Sequence, residues 1–133
     1  MNPFYSHVAI RAGHRCEYCQ APADTFNFRF EVEHIFPVSR GGTDDLSNLA
    51  LACRSCNQYK SNRINGFDDV TQANVRLFNP RLDTWSEHFV FQPDTSEIVG
   101  LTPIGRVTAT LLRFNSDEQL AARRRWIVWQ IFP

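Results

Sequence analysis

Four cysteines fall as Cys16-x-x-Cys19 and Cys53-x-x-Cys56, two pairs of identical spacing. One tight turn can present two thiolates that are two residues apart to the same ion. Two such turns complete the tetrahedral shell that zinc takes with sulfur, at about 2.3 Å. The 33 residues between the pairs are enough for a hairpin that brings the chain back to the metal. Such a shell leaves no position for water, so the expected Zn²⁺ is structural. Four unligated buried thiols are the bland alternative, and the matched spacing weighs against it.

The segment spanned by those pairs contains Glu33-His34, Gly41-Gly42 and Asn48-Leu49, and Asn57 follows the last cysteine directly. An imidazole titrates near neutral pH and can take a proton from water. Carboxylate and carboxamide oxygens are hard ligands, and Mg²⁺ is usually held by one or two of them together with substrate phosphate. Taken singly, each residue has a plain reading: a strand-end histidine, a solvated glutamate, a turn asparagine, an exposed helix asparagine. Taken together and in this order, they point to a site.

From about Arg11 to Arg63 the sequence resembles the HNH endonuclease family, whose hallmark is an acid–His pair, a Gly–Gly loop, an Asn–Leu pair and a metal ligand after the last knuckle. The resemblance implies an α+β fold with a ββα-metal (His-Me finger) core in a treble-clef-like frame of Cys16, Cys19, Cys53 and Cys56. It implies that His34 is the general base, that Glu33 and Asn57 bind the catalytic cation, and that Asn48 braces the loop positioning His34. The substrate implied is DNA, double-stranded, cut by a cation that polarises the phosphate and stabilises the leaving 3′-oxygen. Asn57 departs from the family's terminal His, and Ser61 stands one turn on where some relatives have a further His. Losing imidazole ligands favours Mg²⁺ or Mn²⁺ as the catalytic ion. There is also a geometric tension. Adjacent strand residues point to opposite faces, so the strand must end or twist for Glu33 and His34 to share one ion, and Pro37 lies just downstream.

The elements that must position these residues follow from periodicity. Tyr5 to Ala12 reads as a short helix ended by Gly13. Phe26 to Phe36 alternates, with Phe26, Phe28, Phe30 and Val32 on one face and Asn27, Arg29, Glu31 and Glu33 on the other, which predicts a half-buried strand. Leu49 to Ala52 is a short apolar strand, and Ser55 to Arg63 a helix stopped before Asn65-Gly66. Trp85 to Phe91 and Ile98 to Leu101 read as two strands around the turn-prone Pro93 to Ser96. Thr102 and Pro103 open a helix to about Phe114, and Ser116 with Gln119 forms a capping box for a last helix through Trp129. Gly66 to Pro80 reads as a weak seam. The predicted organisation is a nuclease core at 1–66 and an extension of unassigned function at 67–133, a hairpin plus two helices packed on the core.

Composition bounds the rest. A 133-residue chain with 43% hydrophobic residues fits a compact domain. Lys plus Arg and Asp plus Glu both number 14, so the chain has no global basic footprint. Local patches carry the expectation of phosphate contact instead. Arg54, Lys60 and Arg63 fall within ten residues free of acids, Arg40 lies upstream, and Arg123 to Arg125 form a second cluster. The first ten residues have neither a basic nor an apolar signal region, and no apolar run nears the ~18 residues of a membrane span. The expectation is cytoplasmic residence, where cysteines bind metal rather than pair as disulfides. Symmetric double-strand cutting would suit a homodimer. Two other functions fit the same frame: a zinc-stabilised module that binds nucleic acid or a partner without cutting, and an interaction domain with no nucleic-acid role, which the zero net charge favours.

Overall fold

The computed structural model describes residues 2–133 and has mixed α+β architecture. Helix α1 (Tyr5–Arg11) leads into the first cysteine pair, with Gly13 in the left-handed region at φ +63° just after it. Strand β1 (Glu31–His34) pairs antiparallel with β2 (Leu49–Ala52), and helix α2 (Arg54–Lys60) follows directly. The second half contains β3 (Asn65–Asp68), β4 (Ala73–Arg76), α3 (Trp85–His88), β5 (Phe89–Gln92), β6 (Glu97–Gly100), α4 (Pro103–Leu111) and α5 (Asp117–Val128). The described strands form three separate two-stranded ribbons: β1–β2, β3–β4 and β5–β6.

All four residues of β2 are buried. That is why they read as a continuous apolar run with no alternation. In the ladder Glu31 faces Ala52 and Glu33 faces Ala50, while Val32 faces Leu51 and His34 faces Leu49. One face of the ribbon therefore carries two glutamates over two alanines, and small alanines let a helix approach closely. Helix α2 occupies that face.

Four expectations change. The strand predicted over Phe26 to Phe36 shrinks to Glu31–His34, because its partner ends at Ala52 and the chain then turns into the second knuckle. Phe26, Phe28 and Phe30 instead pack on one another edge to face, with ring centroids of 5.6 Å and 4.9 Å from Phe26. Of the glutamates assigned to a polar outer face, Glu33 is buried under α2 while Glu31 stays partly exposed at its edge. Trp85–His88 is a helical turn, and only Phe89–Gln92 is strand. The seam at Gly66 to Pro80 holds most of the β3–β4 hairpin, whose strands are four residues each, too short for alternation to announce them.

The caps of the last two helices were legible. Thr102 Oγ1 accepts from Gly105 N at 3.1 Å, with Pro103 at the first helical position. Ser116 Oγ accepts from Gln119 N at 3.2 Å, but the reciprocal arm of the box is not made, since Ser116 N donates to Arg113 O.

The two halves share one apolar core and are also tied by polar contacts. Arg81 pairs with Glu17, and Trp85 Nε1 donates to Tyr18 O at 2.7 Å. No described helix is long and apolar enough to cross a membrane.

The β3–β4 hairpin is held by Asp68, which is buried and accepts from Arg106 Nε and Nη2 at 3.0 Å and 3.1 Å and from Thr71 Oγ1 at 2.6 Å. These donors hold its carboxyl well below the usual carboxylate range, and the Arg76 fork lowers Asp83 in the same way. Because both folded-state pKa values are depressed, their stabilisation is complete at neutral pH. It fades once pH falls below the unfolded value of about 4 and is lost below the folded values. Thermal melts from pH 7 to pH 2 should show a falling Tm on the acid side, and Asp68→Asn should lower the neutral Tm and flatten that acid limb.

Candidate active site and metal centre

Each cysteine pair forms a tight knuckle. Cys19 N points at Cys16 Sγ at 3.5 Å, and the turn is closed by Cys16 N to Ala21 O at 2.9 Å. Cys53 caps α2, its sulfur accepting from Cys56 N at 3.4 Å. All four sulfurs are buried and lie within 4.8 Å of one another, with Cys19 and Cys53 at 3.7 Å. A tetrahedron with bonds of about 2.3 Å has edges of roughly 3.8 Å, so the cluster has the dimensions of a four-thiolate zinc site. Burial pushes the Cys56 thiol well up, and such a set of thiols ionises together only around a cation. The site expected at Cys16, Cys19, Cys53 and Cys56 is assembled.

The residues between the cysteines build outward from it. Glu17 locks the first knuckle to β2: its N donates to Leu51 O at 2.9 Å, and its carboxylate accepts from Leu51 N at 2.8 Å. Tyr18 is fully buried, and its hydroxyl donates to Glu33. Lys60, also buried, donates to the other Glu33 oxygen at 2.7 Å, to His34 O at 3.2 Å and to Ile35 O at 2.9 Å. Burial raises the Glu33 pKa, while Lys60 and the Tyr18 bond oppose that rise.

Two expectations are corrected by this arrangement. Glu33 was expected to bind the catalytic cation, but both its oxygens are engaged in the β1–α2 interface, on the opposite face of the strand from His34. The alternation of strand side chains prevails here because β1 stays regular to its last residue. Lys60 was expected to touch phosphate, yet it is 1% exposed and spends its ammonium on three internal acceptors. The remaining basic candidates are exposed. Arg40 Nε donates to Asn62 O at 2.7 Å, Arg63 Nη1 to Tyr59 O at 3.0 Å, and Arg54 lies over the Phe28 ring at 5.1 Å. In the C-terminal run Arg123 is buried, leaving Arg124 and Arg125 at the surface.

His34 closes β1 and is half-buried. Its Nε2 lies 2.7 Å from Oδ1 of the exposed Asp44. Asn48 ties the intervening loop from both ends: its Oδ1 accepts from Phe36 N at 2.9 Å, and its Nδ2 donates to Phe36 O at 3.0 Å and Thr43 O at 2.8 Å. Gly41 at φ +92° turns the loop, and a Cβ on Gly42 would sit 1.8 Å from Phe36 O. The Gly-Gly pair is thus a requirement of close backbone approach. Asn57 does not meet Glu33. Its amide touches the Glu31 carboxylate, which lies 3.9 Å from Arg54 Nε. Asn57 and Glu31 thus lie with Glu33 on the α2 face of the ribbon, the face opposite His34.

Sequence reasoning missed Asp44, Glu31, Tyr18 and the core role of Lys60. The i, i+2 relation of Glu31 to Glu33 was the available signal for Glu31. Lys60 was grouped with Arg54 and Arg63 in a basic patch expected to touch phosphate, which hid its place in the core. Because Lys60 neutralises a buried carboxylate, Lys60→Met should destabilise the chain by about 3–5 kcal/mol by leaving that charge uncompensated. Adding Glu33→Gln should recover much of the loss, and chemical denaturation of the two single variants and the double variant measures both effects.

No curated protein and no solved structure matches this chain. Residues 16–63, which run from the first cysteine of the cluster through α2, match the family model described as HNH endonuclease, so this segment is similar to that family.

Proposed function

We propose that this domain hydrolyses DNA phosphodiester bonds with His34 as general base and a divalent cation, Mg²⁺ or Mn²⁺. The observation that supports it best is the His34–Asp44 contact on a loop clamped by Asn48. With Nε2 donating to Asp44, the Nδ1 lone pair is left to accept a proton from water, and the carboxylate stabilises the imidazolium that forms. Lys60 fixes the strand end from behind through the carbonyls of His34 and Ile35. When bound, the cation would polarise the phosphate and stabilise the leaving oxygen. Arg40, Arg54 and Arg63 are the exposed cations around this face, and they supply phosphate contacts to a duplex.

A second reading has support in one observation. The acid of the Glu33-His34 pair is locked in the core, as it would be in a zinc-stapled module that binds nucleic acid without cutting it.

Conversion of supercoiled plasmid with Mg²⁺ or Mn²⁺ separates the two. Wild type should nick or linearise the DNA, and His34→Ala should lower the rate by about 10²–10⁴-fold with an unchanged thermal melt. Asp44→Asn should cause a smaller loss. Equal cutting by wild type and His34→Ala would remove His34 as the base. DNA binding without cutting by either would establish the module.

A further inference from the structure

The basic surface at the end of α2 is built by both halves of the chain. Arg40, on the loop between His34 and Asp44, donates from Nε to Asn62 O at 2.7 Å. Arg63 donates from Nη1 to Tyr59 O at 3.0 Å. Arg113, just past α4, lays its guanidinium over the Tyr59 ring, 4.3 Å from the centroid. Three exposed guanidinium groups therefore gather on residues 59–63. Among the described residues, none of the three belongs to an ion pair.

The two segments that meet here carry no acid. Residues 46–67 and 98–116 contain neither Asp nor Glu, in a chain whose 14 acids match its 14 bases. Asp44 and Asp45, just upstream, are engaged with His34 and Thr43. Cations set together without acids repel one another, and an anion laid across them removes that repulsion. An arginine at a helix end also offsets the helix dipole. That accounts for Arg63 and Arg113 one at a time, but not for their meeting at Tyr59. Arg113 moreover sits in the left-handed region at φ +53°, where Phe114 N donates to Ala109 O at 3.0 Å to close the helix. Glycine is the usual residue at such a position, because a Cβ costs energy there.

We infer that Arg113 extends the nucleic-acid face of the core, so that Arg40, Arg63 and Arg113 form one track for the phosphates of a DNA duplex. The C-terminal half then serves substrate binding as well as packing. A guanidinium suits this role, because its planar fork matches phosphate oxygens while its face rests on an aromatic ring. Phosphate contacts set register and affinity without reading sequence. The inference rests on the nucleic-acid reading of the domain, but not on cleavage.

The test is duplex binding by the full chain across a salt series, with no Mg²⁺ or Mn²⁺ added. Each lost phosphate contact makes the slope of log affinity against log salt shallower by about 0.9. Arg113→Gly should show that change. Its thermal melt should stay close to wild type, since relief of the left-handed backbone offsets the lost ring contact. Arg113→Lys should keep the wild-type slope, and Arg63→Gln combined with Arg113→Gly should lose about twice as much as Arg113→Gly alone. A wild-type slope in Arg113→Gly, or the same loss in Arg113→Lys, overturns the inference. Should Arg113→Gly melt early, Arg113→Gln decides: a shallower slope supports the track, and a wild-type slope refutes it. A wild type that binds no duplex removes both the track and the nucleic-acid reading. Plasmid cutting that survives His34→Ala removes the general base alone and leaves the track standing.

Discussion

Drawing four sulfurs to within 4.8 Å of one another is the constraint from which the rest of this architecture follows. It brings residues 16–19 against residues 53–56. The two-stranded ribbon between them must therefore fold back on itself, and α2 must begin at the sulfur cluster. Isolated two-stranded ribbons are marginal in water, and β1–β2 is only four residues long on each side. Its persistence depends on what the knuckles hold in place: Glu17 on the backbone of Leu51, Tyr18 on Glu33, and Lys60 reaching across from α2. The polar core of Tyr18, Glu33 and Lys60 extends the metal frame up to the backbone of His34.

Most of this was legible where local chemistry dictates geometry. The cysteine knuckles, the Gly-Gly turn, Leu49–Ala52 and the caps at Thr102 and Ser116 all announce themselves through residue type at fixed spacing. What was not legible depends on partners distant in sequence. The aromatic alternation from Phe26 looked like strand, but a strand needs a partner, and β2 runs out at Ala52. Glu33 and Lys60 carry charges that the surface normally claims. Only the meeting of a strand face with a helix face places them inside. The same applies to Arg123, whose arginine neighbours made it look like part of a surface patch.

The divergence over Glu33 has a simple physical root. Motif order says which residues are near one another along the chain, whereas strand pleating decides which side of the ribbon each one serves. His34 and Glu33 are neighbours by the first criterion and opposed by the second. The ribbon therefore separates two environments. On one side is a closed ionic interface that holds the scaffold, and on the other is an open imidazole on a braced loop.

The bond from the Trp85 indole to the carbonyl of Tyr18 joins the C-terminal half to the peptide between the first two cysteines. An indole anchored there senses any loosening of that turn. The protein thus contains a built-in optical gauge: the emission of Trp85 should follow occupancy of the sulfur cluster without any attached dye.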